Sequence, residues 1–298
     1  MLSILIPVYN DTLNELLAVL SKMTGDLQIA FEICIADDAS TASDIQKANQ
    51  LLAAQHNCRY TRFSENRGRT ATRQFLAAQA HYDHLLFLDA DVLPLRENFL
   101  KSCVEHVDQA QVVFGGIAYP ETVPHKENAL HYTYGKNREV KSVSERNQKA
   151  YLALISQHLL IEKSVFLKCN PAEEKAYGLD PYFSHRLEQQ QVSVLHLDNP
   201  TVHHGIETSA AYLLKTHQAL KTLVHLEEQQ LIPSDYRPLQ RVRQALEKRK
   251  LVPFLLRQFN RFEHRILKNL CGSNPNLRLF DLYRLCYYLK LKREDETG

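Results

Sequence analysis

The sequence predicts an α/β fold: a mostly parallel sheet flanked by helices, followed by a helical C-terminal extension. Three observations carry that prediction. Short apolar runs rich in β-forming residues alternate with helically spaced segments over residues 2–114. Polar clusters fall in or just after those runs. From Ser209 onward the pattern is helical, broken at Pro233, Pro238, Pro253 and Pro275. Strands that alternate with helices favour a parallel sheet covered on both faces, and ligands of such sheets bind outside the carboxyl ends of the strands.

Taken in order, 2–8 is a short apolar first strand, and Leu13, Leu16, Leu17 and Leu20 then recur at helical spacing. Residues 31–36 form a second strand, followed by a helix carrying Ile45, Ala48, Leu51 and Leu52. Residues 60–63 read as a third strand, and 70–80 as a helix that turns Phe75 and Leu76 inward. Residues 85–88 are a fourth, wholly apolar strand. Pro94 precedes a helix reaching as far as residue 110, and 112–114 is a fifth strand. The segment 119–146 is polar and weakly periodic, which fits either a mobile loop over a site or a solvated connection. Residues 150–169 turn apolar again, and 192–197 is a further strand candidate. There is no internal repeat and no low-complexity tract.

A chain of 298 residues exceeds a minimal domain. It accommodates an α/β domain of roughly 200 residues plus a smaller appendage. The apolar fraction of 44% and charged fraction of 23% are those of a globular protein, which argues against global disorder. A net charge of +2 gives no reason to expect a nucleic-acid partner. No run of 18 apolar residues occurs, so no membrane-spanning helix is expected. The opening MLSILIPVYN carries neither a basic leader nor a small-residue cleavage site and reads as a strand, not a signal peptide. Cys34, Cys58, Cys103, Cys169, Cys271 and Cys286 are scattered without C-x-x-C spacing, the pattern of buried, reduced thiols in a cytosolic protein.

The chemistry gathers at the strand ends. Pro7, Val8, Tyr9 and Asn10 close the first strand. Tyr9 and Asn10 could start a turn, or Tyr9 could stack on a nucleobase. Asp37, Asp38 and Ser40 close the second. They could cap the next helix, or a carboxylate could accept the N–H of a base, the pairing a uracil ring offers. Glu65, Asn66, Arg67, Gly68 and Arg69 form a strand-to-helix turn, in which Arg69 and Arg73 could meet a phosphate or a base or simply face solvent. Asp89 and Asp91 follow the fourth strand as an Asp-x-Asp triplet. Hard divalent cations such as Mg2+ and Mn2+ take oxygen ligands, often one or two carboxylates plus phosphate oxygens, and that is what a departing nucleoside diphosphate needs. Far downstream come Tyr177, Gly178, Leu179 and Asp180, then Asp198, His203, His204 and Gly205. Asp180 could be only a helix N-cap.

Taken in this order, the clusters resemble family two of the inverting glycosyltransferases, with the GT-A fold. The matching pieces are Ile6, Pro7, Val8, Tyr9 and Asn10; Asp37, Asp38, Ala39 and Ser40; Asn66, Arg67 and Gly68 with Ala71 and Arg73; and Asp89, Ala90 and Asp91. The region from Asp180 to Gly205 is a looser match. The resemblance implies a hexosyltransferase-like enzyme that moves a sugar from a nucleotide donor, UDP-sugar favoured, to an acceptor hydroxyl with inversion. The acceptor would be a saccharide, a lipid-linked oligosaccharide or a protein, with polysaccharide biosynthesis the expected setting. Pro7, Tyr9, Asp37, Asp38, Asn66, Arg73 and Asp89 would bind the nucleotide. Asp91, with Asp89 and His203, would hold Mn2+ or Mg2+. Asp180 matches the second residue of the family's Glu-Asp pair and would be the catalytic base; Leu179 stands where the family has Glu. A catalytic domain over 1–208 and a helical extension over 209–298 are expected, in a cytoplasmic protein or one peripheral to the inner face of a membrane. Two other readings remain: a module that binds nucleotide sugar without transfer, and a nucleotidyltransferase. The second would place a glycine-rich loop after the first strand, where this chain has no glycine before Gly25.

Overall fold

The computed structural model describes residues 1–123 and 125–295. The elements run β1 (Leu2–Val8), α1 (Asn14–Thr24), β2 (Phe31–Asp37), α2 (Ser43–Gln55), β3 (Arg59–Arg62), α3 (Arg69–Gln79), β4 (His84–Leu88), β5 (Val92–Pro94), α4 (Phe99–His106), β6 (Val112–Phe114) and β7 (Ile117–Ala118). Then follow α5 (Ala129–Tyr134), α6 (Val143–Asn147), β8 (His158–Glu162), α7 (Lys163–Cys169), α8 (Asp180–Gln189), β9 (Val194–His196) and β10 (Thr201–His203). Four more helices follow: α9 (Ser209–Glu228), α10 (Pro238–Lys248), α11 (Val252–Leu270) and α12 (Leu277–Asp295).

Seven strands form one sheet in the order β3-β2-β1-β4-β8-β6-β9. Strands β1 to β4 are parallel, so their carboxyl ends share one edge. Strand β8 runs antiparallel between β4 and β6. The sequence marks its region only as apolar, because a strand buried on both faces has no alternation to read. A second sheet, β5-β10-β7, is built from strands of two or three residues, too short to carry a period.

Burial explains why β1 and β4 sit at the centre. Ile4, Leu5, Ile6, Leu85, Leu86 and Phe87 are all buried, and Leu16, Leu17 and Leu20 of α1 join the core cluster of Leu2, Ile4, Ile6 and Val8. Each such side chain stabilises the fold by about 1.5–3 kcal/mol.

The chain divides into two compact units. The first comprises Met1–Pro120, Val140–Lys175 and Phe183–Gly205 and contains both sheets. The second comprises Glu121–Glu139, Ala176–Tyr182 and Ile206–Gly298. Two segments that precede residue 208, 121–139 and 176–182, therefore belong with the C-terminal helices. The polar stretch 119–146, which the sequence leaves as loop or solvated connection, is largely helical. Its polar residues are consumed locally: Ser142 and Glu145 form a capping box at α6. Arg146 is buried and donates to the carbonyls of Phe114 and Leu197.

All six cysteines are free. Cys34, Cys103, Cys169 and Cys286 are buried, but Cys271 is exposed, against the expectation of uniform burial. Cys271 is the C-cap of α11, one residue past the buried Leu270. No described helix is long and apolar enough to cross a membrane.

Candidate functional site

Three parallel strands deliver polar groups to one sheet edge. At the end of β1, Tyr9 is exposed, leaving its ring face open, and Asn10 adopts a positive φ of 53°. Asn10 Oδ1 accepts the backbone N–H of Thr41 at 2.8 Å, and Ser40 Oγ accepts the Asn10 N–H at 2.9 Å, so Asn10 ties the β1 end to the loop after β2. Pro7 lies in register with Ala36 of β2.

The two aspartates after β2 differ. Asp37 is fully buried; the Ser40 N–H donates to one carboxylate oxygen at 2.7 Å and the Tyr60 hydroxyl to the other at 2.7 Å. That pairing makes Asp37 a brace between β2, β3 and the loop. Asp38 accepts the N–H groups of Arg67 at 2.7 Å and Gly68 at 2.9 Å, one on each oxygen. Asn66 Nδ2 donates to the Asp38 carbonyl at 3.1 Å. Gly68 holds a φ of 87°, a conformation that costs a side chain energy and that glycine adopts freely, and this aims the two N–H groups at Asp38.

At the end of β4, Asp89 and Asp91 part company. Asp89 is gripped by two guanidinium groups one helical turn apart on α3: Arg69 Nη2 donates to one oxygen, and Arg73 Nη2 to the other at 2.5 Å. Arg73 is buried and also donates to the Ser156 carbonyl. Arg69, which the sequence allows to be a surface residue, is thus a partner of the triplet. The signal was its spacing of four from Arg73 at the first turn of a helix on the ligand edge.

Asp91 faces the second sheet. Its Oδ2 lies 3.3 Å from His203 Nε2, and its other oxygen, Oδ1, is buried with no hydrogen-bond partner. Pairing of β10 with β5 sets His203 opposite Val92, and the His204 N–H donates to the Asp91 carbonyl at 2.8 Å. His203 Nδ1 lies 3.4 Å from the Tyr119 hydroxyl. A Cβ on Gly205 would fall 2.0 Å from Asp91 Oδ2, so glycine is required there by close approach. Burial pushes the Asp91 carboxyl up, but the hydrogen bond and charge of His203, with the Arg69 charge, hold it below the usual carboxylate range. Asp11, half-buried in the β1–α1 loop, is raised instead, by burial and by the negative charge of Asp91, against a lowering by the Thr12 N–H. Nothing in the sequence distinguishes Asp11 from a turn residue.

Among the described residues, no three His, Cys, Asp or Glu side chains gather as a preformed metal cluster. A hard cation needs fewer when phosphate supplies the remaining oxygens. The orphaned Asp91 oxygen beside an imidazole fits such a shared cation. Both oxygens of Asp89 are already paired with arginine, and that donor is less open.

In the second unit, Gly178 has a φ of 88°, and a Cβ there would lie 2.8 Å from that of Ala219 on α9. The tight approach inserts Leu179, 4% exposed, among Leu220, Leu223, Val224 and Tyr288. Asp180 then opens α8, partly exposed in its first turn, where the helix dipole favours a negative charge. Glu173 and Glu174, in the first unit, are the nearest upstream carboxylates that could serve as base in place of Asp180, and Glu173 is ion-paired with Arg186 at 2.6 Å.

The model of the family described as glycosyl transferase family 2 matches residues 3–161. No curated protein matches the chain. Among solved structures, a mannosyltransferase from Pyrobaculum calidifontis in complex with GDP-Man and Mn2+ is 15% identical with a TM-score of 0.51, covering 75% of this chain and 64% of its own. A glucosyl-3-phosphoglycerate synthase from Mycobacterium tuberculosis, in complex with Mn2+, UDP and glucosyl-3-phosphoglycerate, is 12% identical with a TM-score of 0.52, covering 76% of this chain and 79% of its own. TarS of S. aureus is 19% identical with a TM-score of 0.51 and covers 99% of this chain, which spans 53% of TarS. At these identities the likeness is one of fold: the expected α/β architecture with a mostly parallel sheet, flanking helices and a helical C-terminal region.

Proposed function

Because the chain belongs to glycosyl transferase family 2, we propose that it transfers a sugar from a nucleoside diphosphate donor to an acceptor hydroxyl, with inversion and with the help of a divalent cation. The observation that carries this reading is the end of β4, where Asp91 keeps a buried, unpartnered oxygen next to His203 while Asp89 is paired with Arg69 and Arg73.

Asp91 and His203 would hold Mn2+ or Mg2+, which when bound neutralises charge on the departing diphosphate. Asp89 shares this edge; its arginine pairs suit it to orienting the nucleotide, with a lone pair left on each oxygen for a ribose hydroxyl. Tyr9 stacks on the base, Pro7 shapes the strand end, and Asp38 and Asn66 set the loop that meets the base. Asp37 acts behind them, through Tyr60 and Ser40. Arg73 fixes Asp89. UDP is the favoured nucleotide; the Mycobacterium neighbour was solved with UDP and Mn2+. Asp180 takes the proton of the acceptor hydroxyl as that oxygen attacks the anomeric carbon, and the diphosphate leaves from the opposite face. Leu179 in place of the family's Glu leaves Asp180 as the sole carboxylate of that pair. A functional division near residue 208 is part of the same proposal, with the donor-binding residues before it and helices α9 to α12 after it.

The test is thermal stabilisation by UDP and GDP with and without Mn2+, in wild type and Asp91→Ala. A ligand at 100 times its Kd stabilises by about 2.7 kcal/mol, well within reach of a melting curve. Wild type should gain stability only when nucleotide and metal are both present, and Asp91→Ala should lose that gain. Equal stabilisation of the variant in Mn2+ rules out the metal assignment.

A further inference from the structure

Helix α11 has two faces of opposite chemistry. Val252, Leu256, Phe259, Ile266 and Leu270 are buried in a cluster with Phe280, Tyr283 and Leu289 of α12. At the complementary positions of the 3.6-residue period lie Phe254, Arg257, Arg261, Phe262, Arg265 and Lys268, all exposed. Phe254 is 64% and Phe262 40% exposed, with Leu251 beside them at 42%. The helix has one acidic residue, Glu263, and it pairs with Lys290 at 3.0 Å.

This arrangement is costly for a free surface. Arg257, Arg261 and Arg265 follow one another at i, i+4 and i+8, and like charges at that spacing repel. None of the three has an ion pair among the described residues; Arg261 and Arg265 instead lie over the Phe262 ring at 5.6 and 5.9 Å. Lys248, Arg249 and Lys250, also exposed, extend the basic run at the start of the helix. A row of unpaired cations interleaved with protruding phenylalanines matches a surface that is anionic at its polar boundary and apolar just beneath. A soluble polyanion would satisfy the arginines and leave Phe254 in water.

We infer that the outer face of α11 is a docking surface for an anionic lipid bilayer, with Phe254 and Phe262 inserted at the headgroup boundary and the arginines on the lipid phosphates. Helix α12 takes no part, because Phe280, Tyr283, Cys286, Tyr288 and Leu289 commit it to the core. The inference is independent of the donor site, so its failure leaves the transferase reading intact.

The full chain contains no tryptophan, so Phe254→Trp provides a single fluorescent reporter. With vesicles of phosphatidylcholine containing about 30% phosphatidylglycerol, the protein should co-sediment and the reporter should shift to the blue; with pure phosphatidylcholine it should do neither. Changing Arg257, Arg261 and Arg265 together to Gln should lower partitioning about 100-fold with an unchanged melting temperature. Equal binding to neutral vesicles, binding without a blue shift, or undiminished binding of the triple variant would each overturn the inference. So would a dimer in solution that Phe254→Ser converts to monomer, which would assign the face to a second copy of the chain.

Discussion

Replacing Gly205 by Ala tests whether the position of Asp91 governs the reaction. The added Cβ would lie 2.0 Å from Asp91 Oδ2, 2.7 Å from Cγ and 3.0 Å from Cβ, and real Cβ contacts below 3.0 Å essentially do not occur. The carboxylate must therefore retreat by about 1 Å or more, and a misplacement of that size near a reacting group can cost on the order of 100-fold in rate. The same movement opens the 3.3 Å contact with His203. Gly205 is not among the residues with positive φ, so alanine meets no backbone penalty and the effect is steric. Stability should fall by about 1–3 kcal/mol, as for other overpacked sites. The lower end is expected, because the Asp91 side chain is 30% exposed and can turn toward solvent. Mn2+-dependent UDP binding and donor turnover should drop together, by about 100-fold, in a protein that still melts cooperatively. A Gly205→Ala enzyme within twofold of wild type in both would show that Asp91 is not placed by this contact or not needed where it stands.

Three further outcomes are expected. Leu179→Glu, which installs the family's residue, puts a carboxylate among Leu220, Leu223 and Val224 and should destabilise by about 3 kcal/mol or more in urea melts; unchanged stability would mean that Leu179 is not a core anchor. Burial, with the nearby Arg146 charge, pushes His158 down to about 3. The unfolded chain takes up that proton below pH 6.5 while the folded one resists, so stability should be lost as pH falls from 6.5 toward 3, by up to about 1.4 kcal/mol per unit. His158→Gln should flatten that slope between pH 6.5 and 5, and an identical slope in the variant would assign the acid sensitivity elsewhere. Asp180→Asn should slow transfer about 100- to 10,000-fold at nearly unchanged nucleotide affinity; turnover near that of wild type would promote Glu174 as the base.

What the sequence displays and what it hides follow from the physics of each element. Strands β1, β2 and β4 are legible because burial on both faces makes them largely apolar runs that end in polar residues: Val8 before Tyr9, Ala36 before Asp37, Leu88 before Asp89. Strands β5, β7 and β10 are not legible, since two or three residues carry no period, yet β10 is what brings His203 to Asp91 from 112 positions away. Polar residues committed to internal partners mislead in the same way. Arg146 ends a segment that reads as a loop or a solvated connection, yet it is buried against backbone carbonyls, and Asp37 reads as a ligand group or a cap while both its oxygens are taken by Ser40 and Tyr60. Leu179, by contrast, reads as the loss of a functional residue, but it is an anchor of the helical unit.

The Asp-x-Asp triplet shows why spacing alone could not divide its labour. Two carboxylates two residues apart look equivalent in sequence, and both were expected to bind metal. In the fold they leave β4 at a turn where the Asp89 N–H still pairs with the Gln157 carbonyl, next to β8, while the Asp91 carbonyl already pairs with His204, next to β10. Each aspartate therefore acquires the charge environment of a different neighbour. Asp89 meets two permanent cations on α3, and a carboxylate with both oxygens in charge-assisted hydrogen bonds gains little by exchanging them for a metal. Asp91 meets one imidazole and has a second oxygen that no protein group engages. A cation at Asp91 gains a donor without displacing a protein partner, whereas at Asp89 it must compete with two guanidinium groups. Metal affinity should accordingly depend far more on Asp91 than on Asp89, while loss of Asp89 should remove an ion-pair partner from Arg69 and Arg73 and disturb α3 instead. Comparing Mn2+ affinity in the presence of UDP with melting temperature, for Asp89→Asn and Asp91→Asn, separates the two effects. Equal losses of Mn2+ affinity in both variants would return the triplet to a shared metal site.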